Sequence, residues 1–345
     1  MCVKDTGTKY QLWISDFNID GTFTRVHPFI ISHTKTMTRT REDGKEEVFS
    51  ACIKPDDTRY LGGNKSSSIN AIKLQGRPRT EISYDKANEF CANRGDWVTM
   101  IDYLEYCAIQ ALCYIEYANF DNQATLNVNL TSEGFKQGGL GAGVTNLVWD
   151  RWTAFNGNNP IVQTYWTAEH NIGNGSTNGD HYELGNYNTD GSNLSTYPAV
   201  YRGILNFFGD IWTFIRDVVI INKDTNYNSV YLLKKGVNHA DVTVDNINEK
   251  CYLIGDQANS NSFITEFDFR FGSYFIPNKV GTNKKNDYNW IRGNNGQDTD
   301  KAVRVLLLGG SAHYGSAAGS GGFSSGWVRS ASLASVGFFT TVKLD

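Results

Sequence analysis

The glycine-rich run Gly138–Gly143 contains residues that could do chemistry, because backbone amides between glycines can cradle a phosphate. A phosphate-binding loop also needs an apolar strand before it and a helix after it that begins with Lys and Ser or Thr. The sequence supplies neither. We therefore interpret the run as an ordinary loop.

Histidines are the other residues that could act chemically, as transition-metal ligands. None of the six lies four residues from another beside a glutamate, and no Cys and His group has zinc-finger spacing. Asp and Asn oxygens in residues 150–200 leave calcium open as an alternative, although no EF-hand spacing occurs. The sequence predicts no metal and no cofactor.

Patterns of covalent catalysis are also missing from the sequence. No Gly-x-Ser-x-Gly motif is present for acyl transfer, and paired carboxylates cannot be recognised without geometry. We predict that the protein is not an enzyme and name no catalytic residue. An enzyme that uses Asp or His near residues 150–200 stays open as an alternative.

Composition narrows the classes of partner. The chain has 345 residues, with 32 Lys and Arg against 36 Asp and Glu, so its net charge of −4 offers no basic surplus for a phosphate backbone. We predict no nucleic-acid partner. No run of about 18 apolar residues occurs, so we expect no membrane insertion and no transmembrane segment, and the opening residues predict no signal peptide.

Six cysteines are spread over the chain without Cys-x-x-Cys spacing. We expect most of them to be buried free thiols of a protein made in a reducing compartment, with disulfides or a catalytic thiol as alternatives. They are Cys2, Cys52, Cys91, Cys107, Cys113 and Cys251.

Asparagine is distributed unevenly along the chain. It occurs 34 times in residues 1–295 and not once in residues 296–345, where the earlier frequency would give about 6. Within 309–335, 20 of 27 residues are Gly, Ala or Ser. The composition therefore changes sharply in the last 50 residues.

The larger residues of this closing segment favour binding over a flexible linker, which is the alternative interpretation. Apolar runs flank the segment at Val303–Leu308 and Val336–Phe339, and aromatic residues and Arg are typical of binding surfaces. We predict a binding face held by strands. Its larger residues are His313, Tyr314, Phe323, Trp327, Val328, Arg329 and Leu333.

The elements that must position this face begin with a predicted β-rich N-terminal region in residues 1–78, where short alternating runs are broken by Asp-Gly turns. A helix is predicted from Tyr84 to Arg94, with Ser83 as its N-cap. A second helix is predicted to begin near Thr99, because Thr99–Asp102 is similar to a capping box.

Residues 79–345 are predicted to form one ligand-binding domain, with long inserted loops at 119–200 and a variable segment at 309–335. Because strands far apart in sequence must assemble beside two consecutive helices, we predict an α+β fold. The strand-like runs are 217–222, 229–233, 263–271, 303–308 and 336–342.

Three separated motifs resemble the formylglycine-generating-enzyme type of C-type lectin fold. The stretch Ser83–Cys91, followed by Trp97–Thr99 and Tyr103–Tyr106, is similar to the two-helix signature of that fold. Tyr201–Gly203 with Gly209–Asp217 resembles its Gly-Asn-Val-Trp-Glu-Trp core motif, with Asp and Thr as departures at positions 210 and 213.

The third motif comprises Arg304–Ser311 and Ser335–Phe339, which resemble the final Arg-Gly-Gly-Ser and Gly-Phe-Arg strands, with Leu308 and Phe339 as departures. The resemblance implies this lectin-like fold for residues 80–345. Oxidase members of the family use a cysteine pair in this last part, whereas Cys251 is the only cysteine here after position 113. Their copper-dependent activity is therefore not carried over.

The closing segment also resembles the variable regions that diversity-generating retroelements produce by replacing template adenines at random, mostly in Asn codons. Changes at the first two bases of AAC or AAT give Ser, Gly, Ala, His, Tyr, Phe, Arg or Val, among others. This resemblance implies a diversified surface and explains the missing asparagines. Trp327 cannot arise in this way, so we expect it to be a fixed residue.

The predicted ligand-binding positions are those that such codon changes could produce, together with Trp327. A second group is predicted to shape the scaffold, namely Gly209, Trp212, Gly309, Gly310 and Gly337. The ligand-binding positions are Ala312, His313, Tyr314, Ser316, Ser320, Gly322, Phe323, Ser324, Trp327, Arg329, Ser330 and Ser335.

The resemblance implies a phage tail receptor-binding protein that recognises a protein or glycan receptor on a bacterial cell surface. A bacterial surface-displayed or secreted ligand binder is the alternative, and an enzyme of the same fold is a further one. We expect location in the virion or at the cell surface, and a homotrimer would suit a fibre tip. A calcium-dependent lectin is disfavoured because the usual Glu-Pro-Asn, Gln-Pro-Asp and Trp-Asn-Asp triplets are absent.

Overall fold

The computed structural model of the chain describes short stretches of residues 2–50 and much of residues 82–342. The described residues are 2–5, 10–13, 24–25, 36–40, 46–50, 82–93, 98–122, 182–186, 193–196, 200–201, 204–205, 207–209, 211–282, 287–292, 301–311, 317–333 and 335–342.

The described residues of the N-terminal part form five strands in two small antiparallel sheets. One sheet has the order β2-β1-β3, and β4 pairs with β5 in the other; the Asp43-Gly44 turn predicted by the sequence lies between these two strands in sequence, outside the described residues. The strands are β1 (Cys2–Asp5), β2 (Tyr10–Trp13), β3 (Thr24–Arg25), β4 (Thr36–Thr40) and β5 (Glu46–Ser50).

The first helix, α1 (Tyr84–Ala92), begins at its predicted N-cap, where the Ser83 side chain accepts a hydrogen bond from the Lys86 amide. It ends two residues before the predicted Arg94. Its buried side chains lie on one face and include Tyr84 and Cys91.

The second helix, α2 (Tyr103–Tyr117), begins later than predicted. Asp102 is its N-cap, and a capping box joins Asp102 to Glu105, whereas the position predicted to open the box lies in strand β6 (Val98–Met100). The prediction at Thr99 was wrong because the real box has Glu at its fourth position, the residue type that this motif prefers. A third helix, α3 (Ile247–Lys250), and a 3-10 helix (His239–Asp241) complete the helices of the described residues.

Most of the described chain after residue 210 belongs to one nine-stranded sheet. Its order is β13-β12-β11-β17-β18-β16-β14-β15, and β19 pairs in parallel with β11. The strands are β11 (Trp212–Asn222), β12 (Tyr227–Leu233), β13 (Cys251–Ala258), β14 (Ser262–Arg270), β15 (Tyr274–Gly281), β16 (Tyr288–Trp290), β17 (Arg304–Leu308), β18 (Phe323–Trp327) and β19 (Val336–Gly337).

This sheet curls until its two end strands, β13 and β15, almost meet. A Cβ atom added to Gly255 on β13 would lie 2.7 Å from Cδ1 of Ile276 on β15. Polar contacts also join β13 to β16, since Gln257 Nε2 donates to Asn289 Oδ1 at 2.7 Å and Asn289 Nδ2 donates to the Ala258 carbonyl at 2.9 Å. The result is a nearly closed, barrel-like sheet.

Apart from the N-terminal strands, three antiparallel pairs of the described residues lie outside the large sheet. Strand β6 pairs with β20, β7 pairs with β8, and β9 pairs with β10. The additional strands are β7 (Tyr182–Asn186), β8 (Asn193–Thr196), β9 (Val200–Tyr201), β10 (Ile204–Leu205) and β20 (Thr340–Val342).

Helix α2 packs against the inner face of the curled sheet, and this contact forms the largest apolar core. Tyr103 and Tyr106 of the helix are buried with Phe275 and Leu306 of the sheet. A second core lies on the opposite face of β11 and β17, where α1 contributes Tyr84. The sheet is therefore covered on both faces where the closing segment enters it.

The predicted α+β C-type lectin fold is wrong for this structure. The described residues are mostly β-sheet, with one nearly closed sheet and only three short α-helices. The two predicted helices exist, but they accompany a large, mostly antiparallel sheet whose strand order depends on contacts remote in sequence. Short local motifs do not specify such an order.

Four of the six cysteines have described side chains, and Cys91, Cys107, Cys113 and Cys251 are all buried thiols that form no disulfide. The prediction is confirmed for these four. Within the described part of the chain, no helix is both long and apolar enough to cross a membrane.

Candidate ligand-binding surface

The closing segment enters the sheet through β17 and turns at two glycines. Gly309 and Gly310 have φ angles of +93° and +72°, a region that side chains with a Cβ rarely adopt. A Cβ on Gly310 would also lie 2.7 Å from the Cβ of Ala318. Glycine is therefore required at this bend by both conformation and space.

The remaining predicted scaffold residues support the same bend and the strands beside it. The amide of Gly209 donates to the Gly309 carbonyl at 3.1 Å, and buried Trp212 meets Trp290 edge to face at a centroid distance of 4.9 Å. Gly337 lies in β19 and pairs with β11.

Ser320 and Gly322 were predicted to face a ligand, but both are buried. The Ser320 hydroxyl donates to Asn122 Oδ1, and its carbonyl accepts from the Tyr106 hydroxyl at 3.0 Å. A Cβ on Gly322 would lie 3.0 Å from the Gly319 carbonyl oxygen, which leaves little room for a side chain. The two positions connect the segment to the core beneath it.

Phe323, Ser324 and Ser335 are also buried rather than presented to solvent. Strand β18 lies between β17 and β16, and the Phe323 ring approaches Tyr103 edge to face at 6.5 Å. The carbonyl of Ser335 accepts from the Trp212 amide at 2.8 Å. All five positions are therefore buried in the described structure, and for Phe323 and Ser324 the cause is the pairing of β18 within the sheet. Their predicted role in binding stays a prediction.

Trp327, Arg329 and Ser330 are the predicted positions that the structure brings to the surface. Trp327 ends β18 and is 36% exposed, and Ser330 is exposed. Arg329 Nη1 lies 3.3 Å from Asp85 Oδ1. We call residues 327–330 the surface turn.

The surface turn is fastened to the first turn of α1. The Tyr84 amide donates to the Arg329 carbonyl at 3.2 Å, beside the ion pair between Arg329 and Asp85. Neither Tyr84 nor Asp85 was predicted as part of the site. Only the tertiary contact connects them with it, because more than 240 positions separate them from Arg329 in sequence.

Ala312, His313, Tyr314 and Ser316 lie outside the described residues. They follow directly on Ser311 in the sequence and precede the buried 318–325 stretch. Their predicted role in binding stays a prediction.

Charged side chains gather at the start of α2, away from the closing segment in sequence. The Tyr103 amide donates to Asp217 Oδ1 at 2.9 Å, and Arg216 Nη2 lies 3.2 Å from Asp102 Oδ2. The pKa of Asp217 is raised to about 7, mainly because the carboxyl group is buried and secondly because the Asp102 carboxylate lies nearby. Burial likewise raises the pKa of Glu105.

The Asp102 carboxylate raises the pKa values of Glu105 and Asp217, and Asp102 and Asp217 accept hydrogen bonds from amides in the first turn of α2. Among the described residues, no three His, Cys, Asp or Glu side chains are arranged to hold a metal ion. The ordinary interpretation of this cluster is structural, because its hydrogen bonds satisfy the first amides of α2.

Comparison with known proteins identified no relative of this chain. No family model matches the sequence, and no curated protein is significantly similar to it.

Proposed function

We propose that this chain is a ligand-binding protein diversified by a retroelement, and that it acts as a phage tail receptor-binding protein for a host surface macromolecule. The observation that carries the proposal is the absence of asparagine from residues 296–345 after 34 occurrences earlier. Gly, Ala and Ser together with His, Tyr, Phe and Arg replace it, which is the set expected from changes at the first two bases of Asn codons.

The surface turn gives the proposal a place where exposed residues could meet a ligand. Trp327 provides a rigid aromatic surface, and Arg329 and Ser330 provide hydrogen-bond donors. The turn is held by β18 on one side and by α1 on the other. A turn held at both ends loses little conformational entropy on binding, which favours affinity.

Burial predicts where diversity can persist. Phe323 and Ser324 fill space inside the sheet, so most substitutions there would leave a cavity or bury a polar group. Positions 329 and 330 are open to solvent to different degrees and carry no such constraint. We therefore expect variation at the surface turn and in residues 312–316, with Trp327 constant.

Sequencing the gene and its flanking DNA from many sibling isolates tests the proposal. We expect a near-copy of the codons for residues 305–340 beside a reverse transcriptase gene, with Asn codons in the copy at the variable positions. Tail genes next to the locus would favour a phage protein, and genes for surface display would favour the bacterial alternative. Sequence variation spread uniformly over residues 80–345, with no such copy of the codons, would contradict the proposal.

A binding experiment tests the surface itself. The full chain is labelled and titrated onto intact cells of a panel of bacterial strains, and the strain bound most strongly is used for variants. Trp327→Ala combined with Arg329→Ala should weaken binding at least tenfold, because both changes remove side chains of the surface turn.

The matched control removes an exposed aromatic residue and an exposed cation elsewhere, with Phe271→Ala and Lys279→Ala. It should bind like the unmodified chain. Equal losses in the two double variants, or no loss in the first, would count against the surface turn.

A further inference from the structure

His239 lies directly behind the attachment of the surface turn. It opens the 3-10 helix His239–Asp241, is only 3% exposed, and its ring centroid lies 4.9 Å from that of Tyr84. Tyr84 is the residue whose amide holds the Arg329 carbonyl. The imidazole therefore lies one side chain away from the fastening of the turn.

Charged and titratable groups from two neighbouring parts of the fold act on this imidazole. Helix α1 contributes Tyr84 and Asp85, and the surface turn contributes Arg329. The backbone of Arg304 in β17 hydrogen-bonds to the ring, and the 3-10 helix itself carries Asp241. Among the described atoms, His239 Nε2 has no hydrogen-bond partner.

Burial is the main influence on the proton affinity of His239, and it lowers the pKa of the imidazole. The guanidinium of Arg329 lowers the pKa further, whereas the Asp85 carboxylate raises it. The neutral imidazole is therefore the form that the present packing accommodates. A proton on this ring would repel Arg329 and attract Asp85, the two partners of the ion pair that fastens the turn.

We propose that His239 is an acid-sensitive latch for the surface turn, which stays attached to α1 while the imidazole is neutral and is released when it is protonated. The importance of the latch for binding rests on the proposed function, since it controls the turn that carries Trp327 and Arg329. The attachment itself is a property of the free chain and can be measured without a ligand.

The direction of the effect follows from the lowered pKa. The unfolded or released form takes up the proton at a higher pH than the attached form does. Attachment is therefore complete above the ordinary histidine range near pH 6.5 and is lost as the pH falls below it.

Hydrogen exchange of the full chain, followed at single amides and corrected for intrinsic rates, tests the latch. We expect the protection of the Tyr84 amide to fall at least tenfold between pH 7.5 and 5.0, while amides in the middle of β11 keep theirs. His239→Gln should remove this dependence, and His181→Gln, which also deletes one histidine, should retain it.

Two further variants separate a charge effect from simple loss of packing. Both variants break the ion pair between Asp85 and Arg329 and should weaken attachment at every pH, so the informative quantity is the size of the acid-induced fall in protection. Asp85→Asn removes a carboxylate that favours the imidazolium in the attached form, which widens the difference in proton affinity between the attached and released forms and should enlarge the fall. Arg329→Gln removes a repelling cation, narrows that difference and should reduce the fall. Opposite changes support the latch even if His239→Gln does not fold.

Protection that is constant with pH in the unmodified chain, an unchanged dependence in a folded His239→Gln, or acid-induced falls that change in the same direction in Asp85→Asn and Arg329→Gln would overturn the latch. None of these results bears on the cell-binding experiment with Trp327→Ala and Arg329→Ala. Failure of that experiment likewise leaves the exchange measurements interpretable.

Discussion

Gly310 shows how strongly one residue constrains the path of the closing segment. With its positive φ and the Cβ of Ala318 in the way, the position excludes side chains for two independent reasons. Gly236 has a similar φ of +80° but open space around it. Comparing substitutions at Gly310 and Gly236 therefore distinguishes the cost of backbone strain from the cost of steric overlap.

We predict that Gly310→Ala lowers the free energy of unfolding by about 2 to 5 kcal/mol, combining left-handed strain with overpacking. Gly236→Ala should cost only the strain, about 1 to 2 kcal/mol. Urea unfolding followed by circular dichroism measures both. Equal losses in the two variants would show that the contact with Ala318 adds nothing.

Residue types alone could suggest which part of the closing segment is unusual, but not which of its side chains face outward. Phe323 and Trp327 are both aromatic and lie four residues apart, yet one is buried and the other is 36% exposed. The difference arises because Phe323 pairs within the sheet beside Leu308 and Asn289, and Trp327 lies at the end of β18. Neighbouring strands decided the outcome.

At the scale of elements, α2 shows that a helix can be predicted while its start is missed. The apolar spacing after position 104 indicates a buried helical face, and the helix forms there. Its start is decided by Asp102 and Glu105 together with contacts to β11, where Asp217 accepts from the Tyr103 amide. This last contact joins residues 114 positions apart.

The junction between α2 and β11 should make stability depend on pH. The pKa of Asp217 is raised to about 7 in the folded chain from an unfolded value near 4, so the folded state holds the proton more tightly. The stabilisation is therefore present in acid and is lost as the pH rises from about 4 to 7. Asp217→Asn keeps an acceptor for Tyr103 and removes the charge.

Relative to the unmodified chain, Asp217→Asn should gain about 1 to 3 kcal/mol in unfolding free energy between pH 4.5 and pH 8. Glu266→Gln is the opposite control, because hydrogen bonding to Lys279 lowers the pKa of this exposed glutamate. It should show no gain as the pH rises. Urea titrations at several pH values measure both, and a pH-independent difference for Asp217→Asn would contradict the assignment.

Strands β13 and β15 illustrate elements that the sequence patterns did not reveal. Neither belongs to the predicted runs, although each forms eight residues of the large sheet. Strand β13 pairs with β12 around a bulge, and β15 contains Pro277 within its ladder to β14. A bulge and an internal proline interrupt the alternation from which strands are predicted.

At the scale of the whole molecule, near closure of the sheet depends on close contact between its two end strands. Gly255 on β13 leaves only enough space for the Cδ1 atom of Ile276 on β15. Ile276 is fully buried, so it cannot swing aside into solvent. Substitutions at Gly255 and Ile276 therefore test directly whether the two end strands of the sheet approach one another.

Gly255→Ala should lower the free energy of unfolding by about 1 to 3 kcal/mol through overlap with Ile276. Ile276→Val removes the overlapping Cδ1 atom at a cost of about 0.5 to 1.5 kcal/mol. The double variant should be more stable than the sum of the two losses predicts, by at least about 0.5 kcal/mol. Strict additivity would mean that β13 and β15 do not approach one another.

The sequence by itself determined the features that depend on neighbouring residues: two helices, the N-cap Ser83, several strands, and the change of composition after residue 295. Tertiary structure alone decided the strand order, the near closure of the sheet and the burial of Phe323, and it brought Asp85 and His239 to the surface turn. The physical reason is range. Capping and periodicity act over a few residues, whereas burial and strand pairing join residues hundreds of positions apart, and no local pattern specifies those partners.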